Sequence, residues 1–184
     1  MKCSISRSNQ KKPDTSEVCF MELWSKVYKH KLIEPDRLST AVADIRQANK
    51  SIATLNGSFD LMHAGHLQII YEASQVADTL IVALNSDASI KAYKSPERPI
   101  IPLEYRLQLM AALEFVDYVT WFEETDPIRL LETIKPDVHV NGAEYGENCI
   151  EAPIVKKHGG KIHVVKLVPG LSTSQILKKI AALT

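Results

Sequence analysis

Two closely spaced histidines give the chain its clearest chemical pattern. Residues 54–66 have the sequence TLNGSFDLMHAGH, in which an alanine and a glycine separate His63 from His66. The N-terminus of a helix attracts anions because its N–H groups are unpaired and its dipole end is positive. Imidazoles placed there can donate further hydrogen bonds to phosphate oxygens. The spacing therefore predicts a phosphate site where a helix begins, with both histidines as ligands.

The residues just before the histidines predict how the backbone reaches this site. Asn56 and Gly57 follow a short apolar run, and this dipeptide favours a tight turn that approaches a ligand closely. We expect Phe59 to point back into the core and anchor that turn.

A hydroxyl-rich segment near the other end of the chain suggests a second set of donors. Residues 169–177 have the sequence PGLSTSQIL, and Ser172 with Gln175 has the S-x-x-Q form of a capping box. The simpler interpretation is that Ser172 only caps the last helix, as serines often do. The alternative is that Ser172, Thr173 and Ser174 present hydroxyl and N–H groups to further phosphates.

These candidate residues are distributed over an alternating pattern of strands and helices. Apolar, β-branched runs typical of buried strands occupy residues 51–55, 79–84, 116–122, 137–140 and 161–167. Helical periodicity occupies residues 65–77, 86–93, 103–114, 127–134, 151–158 and 172–182. This alternation predicts an α/β fold with a parallel sheet covered by helices on both faces. Ligands of such sheets bind beyond the carboxyl ends of the strands, where the predicted phosphate site also falls.

Composition and charge indicate which kinds of partner the chain is suited to bind. The 184 residues suffice for one domain, and 22 basic residues balance 22 acidic ones, which does not indicate a nucleic-acid or membrane partner. The three cysteines lack metal-ligand spacing and predict reduced thiols in a cytoplasmic protein. We expect a disordered segment at 1–20, a helical arm at 21–50 and one catalytic domain at 51–184.

The motifs taken together resemble a known family. GSFDLMHAGH is similar to the G-x-F-D-x-x-H-x-G-H signature of the nucleotidyltransferases that include the cytidylyltransferases, and GLSTSQI resembles their second signature. The resemblance extends over about residues 38–182. It is strongest to the adenylyltransferase half of bacterial heptose kinase/adenylyltransferase proteins, through segments such as KPDVHVNGAEY. That branch usually has Lys-Gly-Gly-Asp-Tyr where this chain has residues 141–145.

The resemblance implies a fold and a reaction. The fold is a Rossmann-like α/β/α sandwich with five parallel strands in the order 3-2-1-4-5. The reaction transfers AMP from ATP to D-glycero-β-D-manno-heptose 1-phosphate and releases pyrophosphate, a step of lipopolysaccharide core synthesis. We expect Mg²⁺ to be carried mainly by the nucleotide phosphates, without a dedicated protein metal site. By analogy with related enzymes we also expect a homodimer.

Pattern and resemblance together assign roles to individual residues. Lys94 and Arg98 match the family's mobile Lys-x-x-x-Arg-Pro loop, and Arg106 lies where the family also carries arginine. For Arg106 a salt bridge at a subunit interface competes with phosphate contact, and Asp60 either braces the turn or acts near the phosphates. The predicted catalytic residues are His63, His66, Lys94 and Thr173. The predicted nucleotide ligands are Asn56, Gly57, Ser58, Phe59, His63, His66, Asn141, Gly142, Ser172, Thr173 and Ser174. The predicted ligands of the second substrate are Asp60, Lys94, Arg98, Arg106 and Glu144.

Two other functions remain open from the sequence. The same chemistry could use CTP and glycerol 3-phosphate or another small phosphorylated alcohol. A nucleotide-binding subunit without catalysis is the third hypothesis, although the intact histidine pair disfavours it.

Overall fold

Five parallel strands form one sheet whose order matches the prediction. The computed structural model describes residues 24–166 and 172–183, so the predicted disordered segment 1–20 lies outside the described residues. The strands are β1 (Ile52–Gly57), β2 (Thr79–Asn85), β3 (Tyr118–Phe122), β4 (Val138–Gly142) and β5 (Lys161–Val165). Their order is β3-β2-β1-β4-β5, with every pairing parallel. The predicted Rossmann-like topology is confirmed, and strand order reverses between β1 and β4.

In the described part of the chain, eight α-helices connect or flank the strands. They are α1 (Trp24–Val27), α2 (Leu38–Gln47), α3 (Ala64–Ser74), α4 (Asp87–Tyr93), α5 (Leu103–Ala111), α6 (Ile128–Ile134), α7 (Ala152–Lys157) and α8 (Thr173–Ala181). Two 3-10 turns, Tyr28–Lys31 and Pro35–Arg37, lie between α1 and α2. The helices follow the predicted segments within a few residues. Gly159 lies just after the end of α7 at Lys157 and its C-cap residue His158, and its φ of 83° suits a residue without a side chain.

Among the described residues, the two larger apolar cores lie on opposite faces of the sheet. Residues such as Ile70 of α3 and Met110 of α5 pack against one face together with Leu80 and Val82 of β2. Ile81 of β2 points to the other face, in the core that α2 and α6 cover. Alternation along β2 therefore buries this central strand on both sides, which explains its unbroken apolar sequence.

The residues before β1 contribute to both cores. Tyr28 is buried with the α3–α5 core, and Leu38, Val42 and Ile45 of α2 are buried in the other. The backbone N–H of Ile33 donates to the carbonyl of Val119 across 2.8 Å and fastens this segment to β3. The described part of the predicted helical arm, residues 24–50, thus contains helical turns and packs along the sheet.

One local prediction is wrong. Asn56 and Gly57 do not form the turn after β1, because they continue the strand and pair with Ala83 and Leu84 of β2. The chain instead turns at Phe59, whose φ is 44°. The ladder with β2 holds the Asn-Gly dipeptide extended, and the left-handed conformation falls on the following aromatic residue.

Candidate active site

A cleft of about 270 Å³ opens at the carboxyl ends of β1 and β4, where strand order reverses. It brings together most of the residues predicted to form the site. Those lining it are Asn56, Gly57, Ser58, Phe59, His63, His66, Lys94, Asn141, Gly142, Glu144, Ser172 and Thr173. Elements far apart in the sequence thus converge because the carboxyl ends of parallel strands share one sheet edge.

The two histidine rings form a stacked pair at the start of α3. Their centroids lie 3.9 Å apart with 27° between the ring planes. The backbone N–H of His63 donates to Nδ1 of His66 across 3.3 Å. Because that nitrogen accepts, a neutral His66 carries its proton on Nε2 and can donate it to a ligand.

The environment keeps both imidazoles neutral. Burial lowers the pKa of His66 to about 4, and the nearby His63 and Lys94 act in the same direction. Burial also lowers the pKa of His63. Nδ1 of His63 is buried without a hydrogen-bond partner among the described residues. The pair can therefore act as neutral N–H donors to an anion.

The ring of Phe59 packs against the histidine pair through His66. The Phe59 side chain is 5% exposed and packs in the α3–α5 core, as predicted. The ring meets His66 edge-on at 5.5 Å between centroids. A left-handed phenylalanine costs roughly 1–3 kcal/mol, which the packing of this ring offsets.

A lysine also lines the cleft. Lys94 follows α4, and its Nζ donates to Oγ of Ser58 across 2.8 Å. The ammonium also lies 5.5 Å from the centroid of the Tyr93 ring. Desolvation lowers the pKa of Lys94, and the charge of Arg98 acts in the same direction. An anionic ligand in the cleft would reverse this tendency and stabilise the ammonium.

The hydroxyl-rich segment caps α8 and also reaches the cleft. Oγ of Ser172 accepts from the N–H of Gln175 across 3.2 Å, so Ser172 caps α8. Ser172 and Thr173 also line the cleft, whereas Ser174 is exposed and does not. The N-terminus of α8 therefore lines the same cleft as the histidine pair, and the prediction that Ser174 is a ligand is not supported by this geometry.

Asp60 and Arg98 lie behind the cleft lining and contact each other. Nε of Arg98 donates to Oδ2 of Asp60 across 2.6 Å, and Oδ1 accepts from the N–H groups of Ile100 and Ile101 at 2.8 Å. Asp60 is 1% exposed. Burial acts to raise its pKa, but the two backbone N–H groups and Arg98 outweigh burial and lower it. The structure therefore gives this pair a bracing role, with neither side chain in the cleft, where both had been predicted to bind substrate.

Arg106 is also a structural residue, and its predicted contact with substrate is wrong for this structure. Its side chain is fully buried, and its Nη2 pairs with the Asp87 carboxylate at 2.7 Å. Its Nη1 donates to the carbonyls of Ser58 at 2.6 Å and Asn85 at 2.9 Å. Its Nε donates to the carbonyl of Ile101 at 2.9 Å. Every nitrogen of the guanidinium is thus engaged in holding the backbone behind the cleft.

The end of β4 and the β4–α7 connection line the cleft with acidic and polar side chains. Glu144 lies over Gly142, where any Cβ would collide with its carboxylate. Tyr145 also lines the cleft and is 66% exposed. Asn141 ends β4 at only 5% exposure, and its Nδ2 donates to Oε2 of the buried Glu151 across 3.5 Å.

Sequence reasoning missed Tyr145 and Glu151. Tyr145 had a usable signal, since it lies within the segment that follows a predicted strand. Glu151 had none, because it lies ten positions after Asn141 and only the fold brings the two together.

Comparison with known proteins identifies the family. The family model described as cytidylyltransferase-like matches residues 54–179, which include both signatures and every residue of the cleft lining. The chain belongs to the cytidylyltransferase-like family. The predicted family and the predicted nucleotidyltransferase class are thereby confirmed.

Many relatives are bifunctional HldE proteins. This cytidylyltransferase-like chain is 42% identical over 146 residues to the bifunctional HldE protein of Hahella chejuensis. The alignment covers 79% of this chain and 31% of that protein. The chain is 37% identical over 177 residues to the HldE protein of Syntrophotalea carbinolica, with 92% of this chain and 36% of the relative covered. For Pseudomonas fluorescens the identity is 44% over 146 residues, with coverages of 79% and 31%. The chain spans about a third of the length of these relatives.

Solved structures support the fold. A lipopolysaccharide core biosynthesis protein from Thermoplasma volcanium aligns at a TM-score of 0.53 and 25% identity, over 65% of this chain and 97% of that one. A pantoate-beta-alanine ligase from Francisella tularensis, at 17% identity, aligns at 0.51 over 82% of this chain and 76% of that one, and it bears on the fold alone. Within the described ranges, the helices are too short or too polar to cross a membrane.

Proposed function

We propose that this chain transfers AMP from ATP to D-glycero-β-D-manno-heptose 1-phosphate, forming ADP-heptose and pyrophosphate. The observation that carries the proposal is the convergence of His63, His66, Lys94 and Thr173 on one cleft at the strand-order reversal. The choice of substrates rests on the HldE relatives and on the resemblance of both signatures to the heptose branch. The name of the Thermoplasma volcanium protein agrees with a place in lipopolysaccharide core synthesis.

The reaction needs positioning more than it needs a base. A phosphate oxygen of the sugar 1-phosphate is already nucleophilic at neutral pH and attacks the α-phosphorus of ATP. The new oxygen–phosphorus bond forms in line with the bond to the β-phosphate, which breaks and releases pyrophosphate. Holding the two substrates in this geometry supplies about 7–11 kcal/mol of the barrier reduction.

The donors of the cleft stabilise the charge that develops. Nε2 of His66 donates to a phosphate oxygen, and His63 beside it contacts the same phosphate group. Lys94 moves from Ser58 to the phosphates, and the α8 N-terminus with Thr173 also contacts them. A well-placed donor of this kind contributes about 3 kcal/mol, by analogy with oxyanion holes.

Mg²⁺ fits this site as a companion of the nucleotide. Within the described ranges no three His, Cys, Asp or Glu side chains are grouped to hold a metal. Glu144 provides a carboxylate in the cleft, and the triphosphate would provide most of the oxygen ligands. When bound, the ion neutralises phosphate charge. Homodimer formation and a cytoplasmic location are further parts of the proposal, drawn from related enzymes and from the cysteine pattern.

A matrix of substrates tests the proposal. The protein is incubated with Mg²⁺ and each of ATP, CTP, GTP and UTP, against heptose 1-phosphate, glucose 1-phosphate and glycerol 3-phosphate. Pyrophosphate release and product mass are measured. We expect ADP-heptose to form fastest. Formation of CDP-glycerol instead would establish the cytidylyltransferase alternative, and nucleotide binding without any product would establish the non-catalytic one.

A further inference from the structure

A buried carboxylate lies directly behind the cleft wall that β4 forms. Glu151 is 6% exposed and precedes α7, and its Oε2 accepts from Nδ2 of Asn141 at 3.5 Å. Asn141 itself is 5% exposed and lines the cleft. A buried charge is costly unless neighbouring groups compensate it. The carboxamide of Asn141 therefore connects this charge to the cleft.

The groups around Glu151 do not neutralise it. Among the residues described, no Lys or Arg forms an ion pair with it. Burial lowers the pKa of the neighbouring His139 to about 4, although Glu151 and Asn141 oppose this shift, so the imidazole is neutral at physiological pH. Nδ1 of His139 is engaged with Oγ1 of Thr54 at 2.8 Å. The Asn141 amide is thus the hydrogen-bond partner of Glu151 that reaches the cleft.

The chemistry of the pair fixes the orientation of the amide. Nδ2 of Asn141 is the donor to Oε2 of Glu151, so Nδ2 and not Oδ1 faces the carboxyl group. One N–H of Nδ2 is used there, and the second remains for another acceptor. Without the carboxylate, the amide could rotate by 180° and exchange its donor for an acceptor.

The charge of this wall indicates which acceptor fits. Glu144 is on the same side of the cleft, and both Glu144 and Glu151 act to raise the pKa of Tyr145, after burial as the main cause. Lys94, the histidine pair and the α8 N-terminus also line the cleft and supply the groups that favour phosphates. The carboxylates of Glu144 over Gly142 and of Glu151 behind Asn141 disfavour a phosphate at this position, so the acceptor next to Asn141 is an uncharged oxygen.

We propose that Glu151 is a positioning residue, which holds Asn141 so that its amide donates to a hydroxyl or ring oxygen of the bound substrate. The oxygen belongs either to the sugar of the sugar phosphate or to the ribose of the nucleotide. This inference rests on the proposed function for the location of the phosphates.

A double-mutant cycle tests the inference. Glu151→Gln, Asn141→Ala and the double variant are compared with the unmodified protein for kcat and for KM of each substrate, after active-site titration. We expect each single variant to raise one KM about tenfold, the scale of one hydrogen bond, and the double variant to raise it no further. A raised KM for ATP assigns the oxygen to ribose, and a raised KM for the sugar phosphate assigns it to the sugar.

The controls separate positioning from folding. Glu147→Gln, at an exposed position of the same connection, should leave both constants unchanged. Glu151→Asp keeps an acceptor-only group and should recover part of the loss. Additive effects in the double variant would overturn the inference, as would an unchanged KM in Glu151→Gln. If that variant does not fold, Glu151→Ala takes its place in the cycle, and an unchanged KM in Glu151→Ala would overturn the inference.

The outcome does not depend on the identity of the sugar. The cycle is measured with whichever substrate pair turns over, or from dissociation constants of ATP and heptose 1-phosphate if none does. Absence of ADP-heptose would refute the proposed function alone, whereas additivity would refute the role of Glu151 alone.

Discussion

The backbone N–H of His63 donates to Nδ1 of His66, while the two rings stack 3.9 Å apart. This arrangement gives the two nitrogens of His66 different tasks. Nδ1 closes the first turn of α3, and Nε2 is left for the ligand. The motif therefore contributes one defined donor, oriented by the helix that it begins.

Substitution of His66 by its two amide analogues separates these tasks. Glutamine can place an N–H near the position of Nε2, whereas asparagine can only replace Nδ1. We expect His66→Asn to lower kcat about 10²–10³-fold, the loss typical of one transition-state donor, and His66→Gln to retain more activity. Steady-state kinetics with saturating substrates measures both. Equal or greater activity in the asparagine variant would contradict the assignment of Nε2 as donor.

Lys94 offers a test of whether a positive charge in the cleft stabilises the phosphates. Its recorded contacts are the hydroxyl of Ser58 and the ring of Tyr93, so its loss removes little packing. We expect Lys94→Met to lower kcat/KM about 100-fold while thermal unfolding changes little. Lys91→Met, on an exposed position of α4, is the matched control and should behave as the unmodified protein. The same activity in the two variants would remove Lys94 from the mechanism.

Substitution of Arg106 should mainly lower the free energy of unfolding. Arg106→Met leaves Asp87 without its partner and the carbonyls of Ser58 and Asn85 without donors. We expect a loss of about 3–5 kcal/mol in the free energy of unfolding, measured by urea titration. Arg129→Met removes an exposed pair at 3.4 Å and should change this free energy by less than about 1 kcal/mol. Similar losses in both variants would contradict the buried network.

The stability of the protein should fall in mild acid. The pKa of His139 is about 4 in the folded chain because the ring is buried, against about 6.5 when unfolded. As the pH falls from about 6.5 to about 4, the unfolded chain binds the proton first, so the free energy of unfolding decreases by up to about 1.4 kcal/mol per pH unit from this group.

His139→Gln should flatten that dependence. Glutamine can retain a hydrogen bond to Thr54 without a titrating ring, and urea titrations at several pH values measure the slope. His163→Gln, on the adjacent strand β5, is the control and should keep the slope of the unmodified protein. An unchanged slope in His139→Gln would show that the ring titrates normally.

The parts of the fold that depend on local pattern were predictable. Strand β2 is apolar throughout because helices cover both faces, and this can be seen directly in TLIVAL. The histidine pair was predictable because its residues act within one helical turn. The strand order came from the resemblance, since periodicity alone does not specify which strands are neighbours.

The residues that sequence could not assign depend on contacts across the fold. An arginine at position 106 suits a phosphate or a carboxylate equally, and only burial behind the cleft decides between them. Asn56 and Gly57 favour a turn in isolation, but pairing with β2 holds them in a strand. Glu151 is separated from Asn141 by an exposed connection whose path the sequence does not specify.

A crystal structure with the α,β-methylene analogue of ATP tests the central claim most directly. The account predicts that oxygens of the α- and β-phosphates lie roughly 3 Å from Nε2 of His66 and from the Thr173 hydroxyl. It also predicts that Lys94 has left Ser58 for the phosphates. A triphosphate bound outside this cleft, or bound within it beyond hydrogen-bond distance of His66, would contradict the account.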